Sequence, residues 1–363
     1  MNENMSMYKP DWKETSQRMT AWWEGKKVDR VLAGVTAPLS EPANLRRSKY
    51  LPNVPEKYCD FNTVFNNLDY SLERTFWGGE SFPTHSVYFG PMFCTTYLGC
   101  EPIFAENTVW YEPCFDSVDE LMKIQFDQNN RWWQLNCEMM RRSLLRSEGK
   151  YLVTPINCIE AAIDTMAQLL GSEKLLLAML ENPDELKMIR DKISCWGKET
   201  LKVLYDMAGN LSIDYMGVWG PGRIITEQCD FSVMISSDMF REFVVEGLES
   251  TYSMVDHGIY HLDGEEQFRH LDHLLAIEKL KIIQWQPGQK MGNPHFGDAL
   301  NWIDLFRKIQ DAGKSPYIYC SPEHVRELLN KIDRSQVFLR IYCPDQESAA
   351  RTLRELEQIG TES

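Results

Sequence analysis

The chain has 363 residues, 43% of them hydrophobic and 12% aromatic, which is ample for one α/β domain with a full core. Its 38 basic and 53 acidic residues leave a net charge of −15, which argues against nucleic acid or an anionic membrane as a general partner. The first residues lack the basic end and apolar stretch of a signal peptide, and no apolar run approaches the ~20 residues of a membrane span, so a soluble, cytoplasmic protein is expected.

The segment to about Lys27 reads as an amphipathic helix with Met19, Trp22 and Trp23 on its apolar side. Val31 to Pro38 is a strand stopped by proline. Residues 41–82, rich in Pro, Asn and aromatic residues, are too long for a plain loop and are expected to hold short helices over one mouth of the fold. A strand from His85 to Pro91 precedes a hairpin over 102–111, and residues 117–147 alternate as a helix. Tyr151 to Asn157 is a strand ending near Cys158 and Glu160. A long helical region, 162–208, is broken near Gly171 and at Asn182-Pro183. Ser212 to Trp219 reads as a strand that stops in Gly220-Pro-Gly222, and Ser236 caps an amphipathic run.

From there the rhythm is regular. Strands at 258–262, 280–285, 316–320 and 337–342 alternate with helices at 265–277, 299–312, 322–332 and 345–358. Such βα units imply a parallel sheet. With the strands near 31, 85, 151 and 212 the count reaches eight, so the expectation is an α/β chain, a single (β/α)8 TIM barrel over residues 1–363 with an N-terminal helical and loop elaboration. No Gly-x-Gly-x-x-Gly turn supports an open doubly wound sheet instead.

Strand ends carry the chemistry in such folds. Gly258-Ile-Tyr-His-Leu-Asp-Gly264 ends in His261 and Asp263, two apart and so on one side of an extended strand, which suits a shared metal or a carboxylate orienting an imidazole. Gln284 and Trp285 close the next strand, and Cys320 the one after it. With Asn157, Glu160, Trp219 and Arg223 they are the candidate substrate-binding residues. Arg223, after Gly220-Pro-Gly222, has the chemistry to clamp a carboxylate or phosphate. His270-Leu-Asp-His273 places two imidazoles on one helix face, read here as a solvated face because no further ligand is near in sequence. The ten cysteines form no Cys-x-x-Cys pair and are expected to be reduced and mostly core-filling.

Three segments resemble the uroporphyrinogen decarboxylase superfamily: Ile213-Asp-Tyr-Met-Gly-Val-Trp219, Phe231-Ser-Val-Met-Ile-Ser-Ser-Asp-Met-Phe-Arg-Glu-Phe243 and Tyr260-His-Leu-Asp-Gly264. The resemblance implies a barrel, often dimeric, with one deep cleft at the strand C-termini. The decarboxylase residues are missing. Arg46-Arg47 stand in a different setting, and Val87-Tyr-Phe-Gly90, Pro155-Ile-Asn-Cys-Ile-Glu160 and Ile341-Tyr-Cys-Pro344 replace the motifs with the family's aspartate, tyrosine and histidine. The chain is closer to the branch that moves a methyl group from a corrinoid protein to a thiol such as coenzyme M. That branch holds zinc with a His-x-Cys pair and a distant cysteine, which correspond here to His261, Asp263 and Cys343. The expectations are therefore a methyltransferase acting on a small substrate, with zinc on those three residues and a corrinoid supplied by a partner protein. A metal-free decarboxylase or lyase relative, with Arg223 or Arg46 as clamp and His261 as proton donor, is the alternative. A non-catalytic corrinoid- or tetrapyrrole-binding barrel is the third reading.

Overall fold

The computed structural model describes residues 7–39, 54–154, 162–209, 213, 215–288 and 297–361. Among these, eleven strands form: β1 (Ala33–Pro38), β2 (Thr75–Gly79), β3 (Thr84–Ser86), β4 (Pro102–Phe104), β5 (Val109–Tyr111), β6 (Leu152–Thr154), β7 (Ile224–Glu227), β8 (His257–Asp263), β9 (Leu280–Gln286), β10 (Ser315–Tyr319) and β11 (Phe338–Tyr342). One seven-stranded sheet has the order β2-β1-β11-β10-β9-β8-β7, all parallel except β2, which runs antiparallel to β1. β3 and β6 form a separate parallel pair, and β4 and β5 the expected hairpin. First and last βα strands are thus hydrogen-bonded side by side, as a barrel requires. The ladder is not closed among the described residues, because the β3–β6 pair is joined to neither edge of the large sheet.

Most predicted elements stand where the periodicity put them. The region 162–208 is three helices, Ala162–Leu170, Ser172–Glu181 and Pro183–Ala208, broken at Gly171 and at Asn182. Proline opens the last of them, where its missing N–H costs nothing. Ser236 accepts a hydrogen bond from the Met239 amide as cap. The strand expected at 212–219 is a correction: Ile213 and Trp219 meet only in an isolated antiparallel bridge, and the strand begins at Ile224. Gly220-Pro-Gly222 therefore starts a strand rather than ending one. Gly222 turns the chain at a φ of 101°, and the next amide, of Arg223, donates to the Asp256 carboxylate at 2.8 Å. The Arg223 carbonyl then accepts from the Asp256 and His257 amides, which sets β7 beside β8.

The core has two layers, one on each face of the sheet. On the outer face Val35, Tyr260, Leu262, Ile283, Trp285, Ile318, Leu339 and Ile341 pack under helices, the C-terminal helix Gln346–Thr361 among them. On the inner face a second cluster holds Leu32, Phe82, Leu152, Ile224, Ile259, Ile282, Tyr317 and Phe338. Each βα strand gives one residue to this cluster, between two residues before its start and its third residue. Trp12, Met19 and Trp22 of the first helix (Trp12–Trp23) and Ile213 and Val218 of the bridged turn complete it. The Tyr317 hydroxyl donates to the Met216 carbonyl at 2.9 Å, and the Trp23 indole to the Trp219 carbonyl at 2.9 Å. Ile213 and residues 215–219 thus plug the N-terminal end of the interior. Among the described residues no helix is long and apolar enough to cross a membrane.

Candidate functional site

Strand alternation decides what faces the interior above that apolar layer. Two residues beyond Ile259, Ile282, Tyr317 and Phe338 come His261, Gln284, Tyr319 and Arg340 on the same inner face. Two further on are Asp263, Gln286 and Tyr342. The interior thus changes from apolar to polar along each strand.

His261 and Gln284 are register partners on β8 and β9, and the imidazole Nδ1 is hydrogen-bonded to the Gln284 side-chain oxygen. Gln284 is fully buried, and its amide nitrogen donates to the Trp285 carbonyl at 2.8 Å. That contact demands the NH2 group, so the oxygen is the atom turned toward His261. An amide oxygen only accepts. Nδ1 therefore carries the proton, and Nε2 of the neutral ring is left with a lone pair, 4.0 Å from the Asp263 carboxylate. A second carboxylate, Asp230, stands just past the end of β7. Desolvation of its carboxyl and then the charge of Asp263 raise its pKa, while His261 opposes the rise, so all three groups share one field.

Asp230 is set in place by Asp164, at the start of the helix Ala162–Leu170. The Asp164 carboxylate accepts from the Asp230 and Phe231 amides, both at 2.8 Å, and from the Cys229 thiol at 3.7 Å. Burial, then the charge of Asp230, raises the pKa of Asp164 to about 7.

Arg340 supplies the opposite charge. Its register partner on β1 is Gly34, and a Cβ there would lie 2.8 Å from the guanidinium Nη1. Gly34 thus leaves the space that the guanidinium fills. The guanidinium lies 5.5 Å from the Tyr342 ring, which stacks on Tyr319 at 6.0 Å. Its Nε is buried without a hydrogen-bond partner, and among the described residues it makes no ion pair. The indole nitrogen of Trp77, which shares a face with its register partner Thr36, and the hydroxyl of inward-facing Thr154 are also buried without partners.

Several sequence candidates lie elsewhere. Cys343 follows β11 on the outer face, in the helix-packed layer, with its Sγ 3.7 Å from the Thr352 hydroxyl of the C-terminal helix, and burial raises its pKa. Cys320 is likewise on the outer face, its thiol pushed up to about 12 by burial. Trp285 packs outward against Phe268 and Trp302. Trp219 and Arg223 sit at the N-terminal end of the strands. Trp219 packs against Trp12, and Arg223 lies over the Tyr205 ring and 4.0 Å from Asp206. Asn157 and Glu160 lie outside the described residues. Of the named set, His261, Asp263 and Gln284 come together.

The zinc set does not. Cys343 faces the other side of the sheet from His261, and His261 commits Nδ1 to Gln284. Among the described residues no group of three His, Cys, Asp or Glu side chains is placed to hold a metal ion. The His270 and His273 pair is no solvated face either. His270 is buried, stacks on Phe240 and has its Nε2 2.9 Å from the Ser232 carbonyl, while His273 lies 3.0 Å from the Ser237 hydroxyl.

The sequence reading missed Arg340, Asp230 and Asp164. Arg340 had a signal: among the described strands only Lys281 and Arg340 are basic, and a cation in a strand covered on both faces needs a reason. Asp230 was hidden by the misplaced fourth strand.

No protein-family model matches the chain, and no curated protein does. Among solved structures, a methyltransferase from Methanosarcina mazei matches with a TM-score of 0.59, covering 95% of this chain and 98% of that one at 11% identity. At that identity the likeness shows a shared fold.

Proposed function

We propose that the chain is a methyltransferase-type enzyme of the uroporphyrinogen decarboxylase superfamily, built on a (β/α)8 barrel, that methylates a small acceptor with His261 as general base. The observation that carries the reading is the fixed tautomer of His261, whose Nε2 lone pair is free on the inner face beside Asp263. The shared fold with a methyltransferase supports the reaction class. The methyl donor is a co-substrate, a methylated corrinoid on a partner protein. The acceptor atom gives its proton to Nε2, and its lone pair forms the bond to the methyl carbon. The bond from that carbon to the donor breaks, and its electron pair stays with the donor. Asp263 stabilises the imidazolium that results, and Gln284 keeps the ring in place. The scheme gives zinc no part, because among the described residues His261, Asp263 and Cys343 do not come together. The clamp of the lyase alternative is also unsupported: Arg223 is at the far end of the strands, and Arg46 lies outside the described residues.

The test follows the loss of methylcobalamin absorbance in the presence of a panel of small thiols and the pure protein. His261→Ala lowers the rate by about 10²–10⁴, the usual contribution of a positioned base. Gln284→Leu lowers it less and changes the pH profile, since the tautomer is no longer fixed. Transfer that is equally fast in His261→Ala, or no transfer to any thiol, overturns the proposal.

A further inference from the structure

We infer that Cys100 and Cys114 form a redox-active dithiol at the base of the β4–β5 hairpin, in which Cys114 is oxidised by a hydroperoxide and Cys100 closes the disulfide. Neither residue belongs to the methyl-transfer site proposed above, and the inference does not rest on that reading.

The hairpin brings the two cysteines together. Cys100 stands just before β4 and Cys114 just after β5, and the antiparallel pairing of Pro102 with Tyr111 closes these ends on each other. Gly99 ends the short 3₁₀ helix Phe93–Leu98 at a φ of 123°, a conformation that favours glycine, and turns the chain into β4. The Cys100 amide donates to the Thr95 carbonyl at 3.2 Å. The Cys114 and Phe115 amides donate to the Leu169 carbonyl at 2.9 and 3.1 Å. Both backbones are thus pinned, and the two Sγ atoms stand 3.1 Å apart. A disulfide bond is about 2.05 Å long, so the sulfurs have only about 1 Å left to close.

The two thiols are unequal. Cys100 is buried and Cys114 is exposed. The Cys100 thiol also faces the Glu112 and Gln168 carbonyls, at 3.6 and 3.9 Å. Its hydrogen bond to Cys114 lowers the Cys114 pKa, and the same bond, with burial, raises that of Cys100. The proton therefore stays on the buried sulfur and the thiolate forms on the accessible one, as in a sensor cysteine beside its resolving partner. Cys195 is exposed as well, on the helix Pro183–Ala208, but has no thiol at hydrogen-bond distance among the described residues. Two thiolates also suit a soft metal, but a closed zinc site needs a full tetrahedral set, and among the described residues no three His, Cys, Asp or Glu side chains gather. In the redox step the Cys114 thiolate attacks one peroxide oxygen, the O–O bond breaks and hydroxide leaves, which gives a sulfenic acid. The Cys100 sulfur then displaces the sulfenic hydroxyl: the S–S bond forms, the S–O bond breaks and the Cys100 proton leaves with the hydroxyl as water. The first hydroxide takes up the proton that Cys114 had lost. The dithiol gives up two electrons, and the peroxide is reduced to water.

The experiment uses the full chain, reduced with dithiothreitol, desalted and treated with hydrogen peroxide at pH 7. Remaining thiols are alkylated in denaturant and the peptides are mapped by mass. The expected product is a Cys100–Cys114 linked peptide, two hydrogens lighter than its parts and returned to free thiols by dithiothreitol. Cys114 should be lost to alkylation about tenfold faster than Cys195, or more. Cys100→Ser should halt at the sulfenic acid, which dimedone captures on Cys114, and Cys114→Ser should leave Cys100 free for alkylation. If either variant does not fold, the wild-type peptide map decides alone. Cys114 oxidising no faster than Cys195, or pairing with a cysteine other than Cys100, overturns the inference. Dimedone capturing Cys100 in Cys114→Ser as fast as it captures Cys114 in Cys100→Ser overturns the roles given to the two sulfurs.

Discussion

The two ends of the same strands treat buried polarity in opposite ways. At the N-terminal end the interior is apolar, covered by the first helix, Ile213 and residues 215–219, and a buried carboxylate there, Glu80, is met by two arginines and an amide. At the C-terminal end the inner face carries His261, Asp263, Gln284 and Arg340, and Arg340 is met by no carboxylate among the described residues. The buried carboxylate at the N-terminal end is thus paired, while at the C-terminal end polar groups stand together on the inner face where such folds place their chemistry.

The contrast breaks first at Tyr317. This side chain is fully buried in the N-terminal layer, 5.1 Å from the Phe338 ring, with its hydroxyl on the Met216 carbonyl. Tyr317→Ala should cost about 3–5 kcal/mol in urea unfolding, the usual range for emptying a large core site. A loss below about 1 kcal/mol would show that this layer does not support the fold. Next comes Asp164, behind the opposite end. Asp164→Ala leaves the Asp230 and Phe231 amides without their acceptor and should cost about 2–6 kcal/mol, at about 1–3 kcal/mol for each orphaned donor. Its pH dependence sharpens the point. The folded carboxyl titrates at about 7 and the unfolded one near 3.8, so the folded state holds the extra proton between these values. Stability should fall as pH rises through that window, and the slope this group contributes should vanish in Asp164→Asn. The smallest effect belongs to Cys343. Because its thiol faces Thr352 and not the interior, Cys343→Ala should cost about 1 kcal/mol or less and leave methyl transfer unchanged. A tenfold loss of rate would place this thiol in the site and restore the zinc set.

The regular half of the fold was legible because from residue 258 onward each apolar run is short, starts and stops on turn residues, and alternates with helical spacing. The fourth strand was not, because an apolar run followed by Gly220-Pro-Gly222 looks the same whether the glycines end one strand or begin the next. Only the Asp256 carboxylate on the Arg223 amide decides it, and that is a contact across 33 positions of chain. The site was half legible for a related reason. His261 and Asp263 share a face by their own spacing, but whether Cys343 shares it depends on which of two alternating sets on β11 points inward. Phe338, Arg340 and Tyr342 are that set, fixed by the packing of Phe338 on Tyr317. Period-two reading says which residues of one strand go together. It does not say how the sets of separate strands are matched.

The turn 213–219 has a kinetic consequence. Among the described residues it fills the N-terminal end of the inner face, beneath a layer of Ile259, Ile282, Tyr317 and Phe338. A donor carried on a protein would cover the opposite end like a stopper. On the proposed methyl-transfer reading, the small acceptor would have to be inside before the carrier docks, and the methylated product would wait until the carrier leaves. On the proposed reading, a compulsory order would follow from the backbone path of Ile213 and residues 215–219.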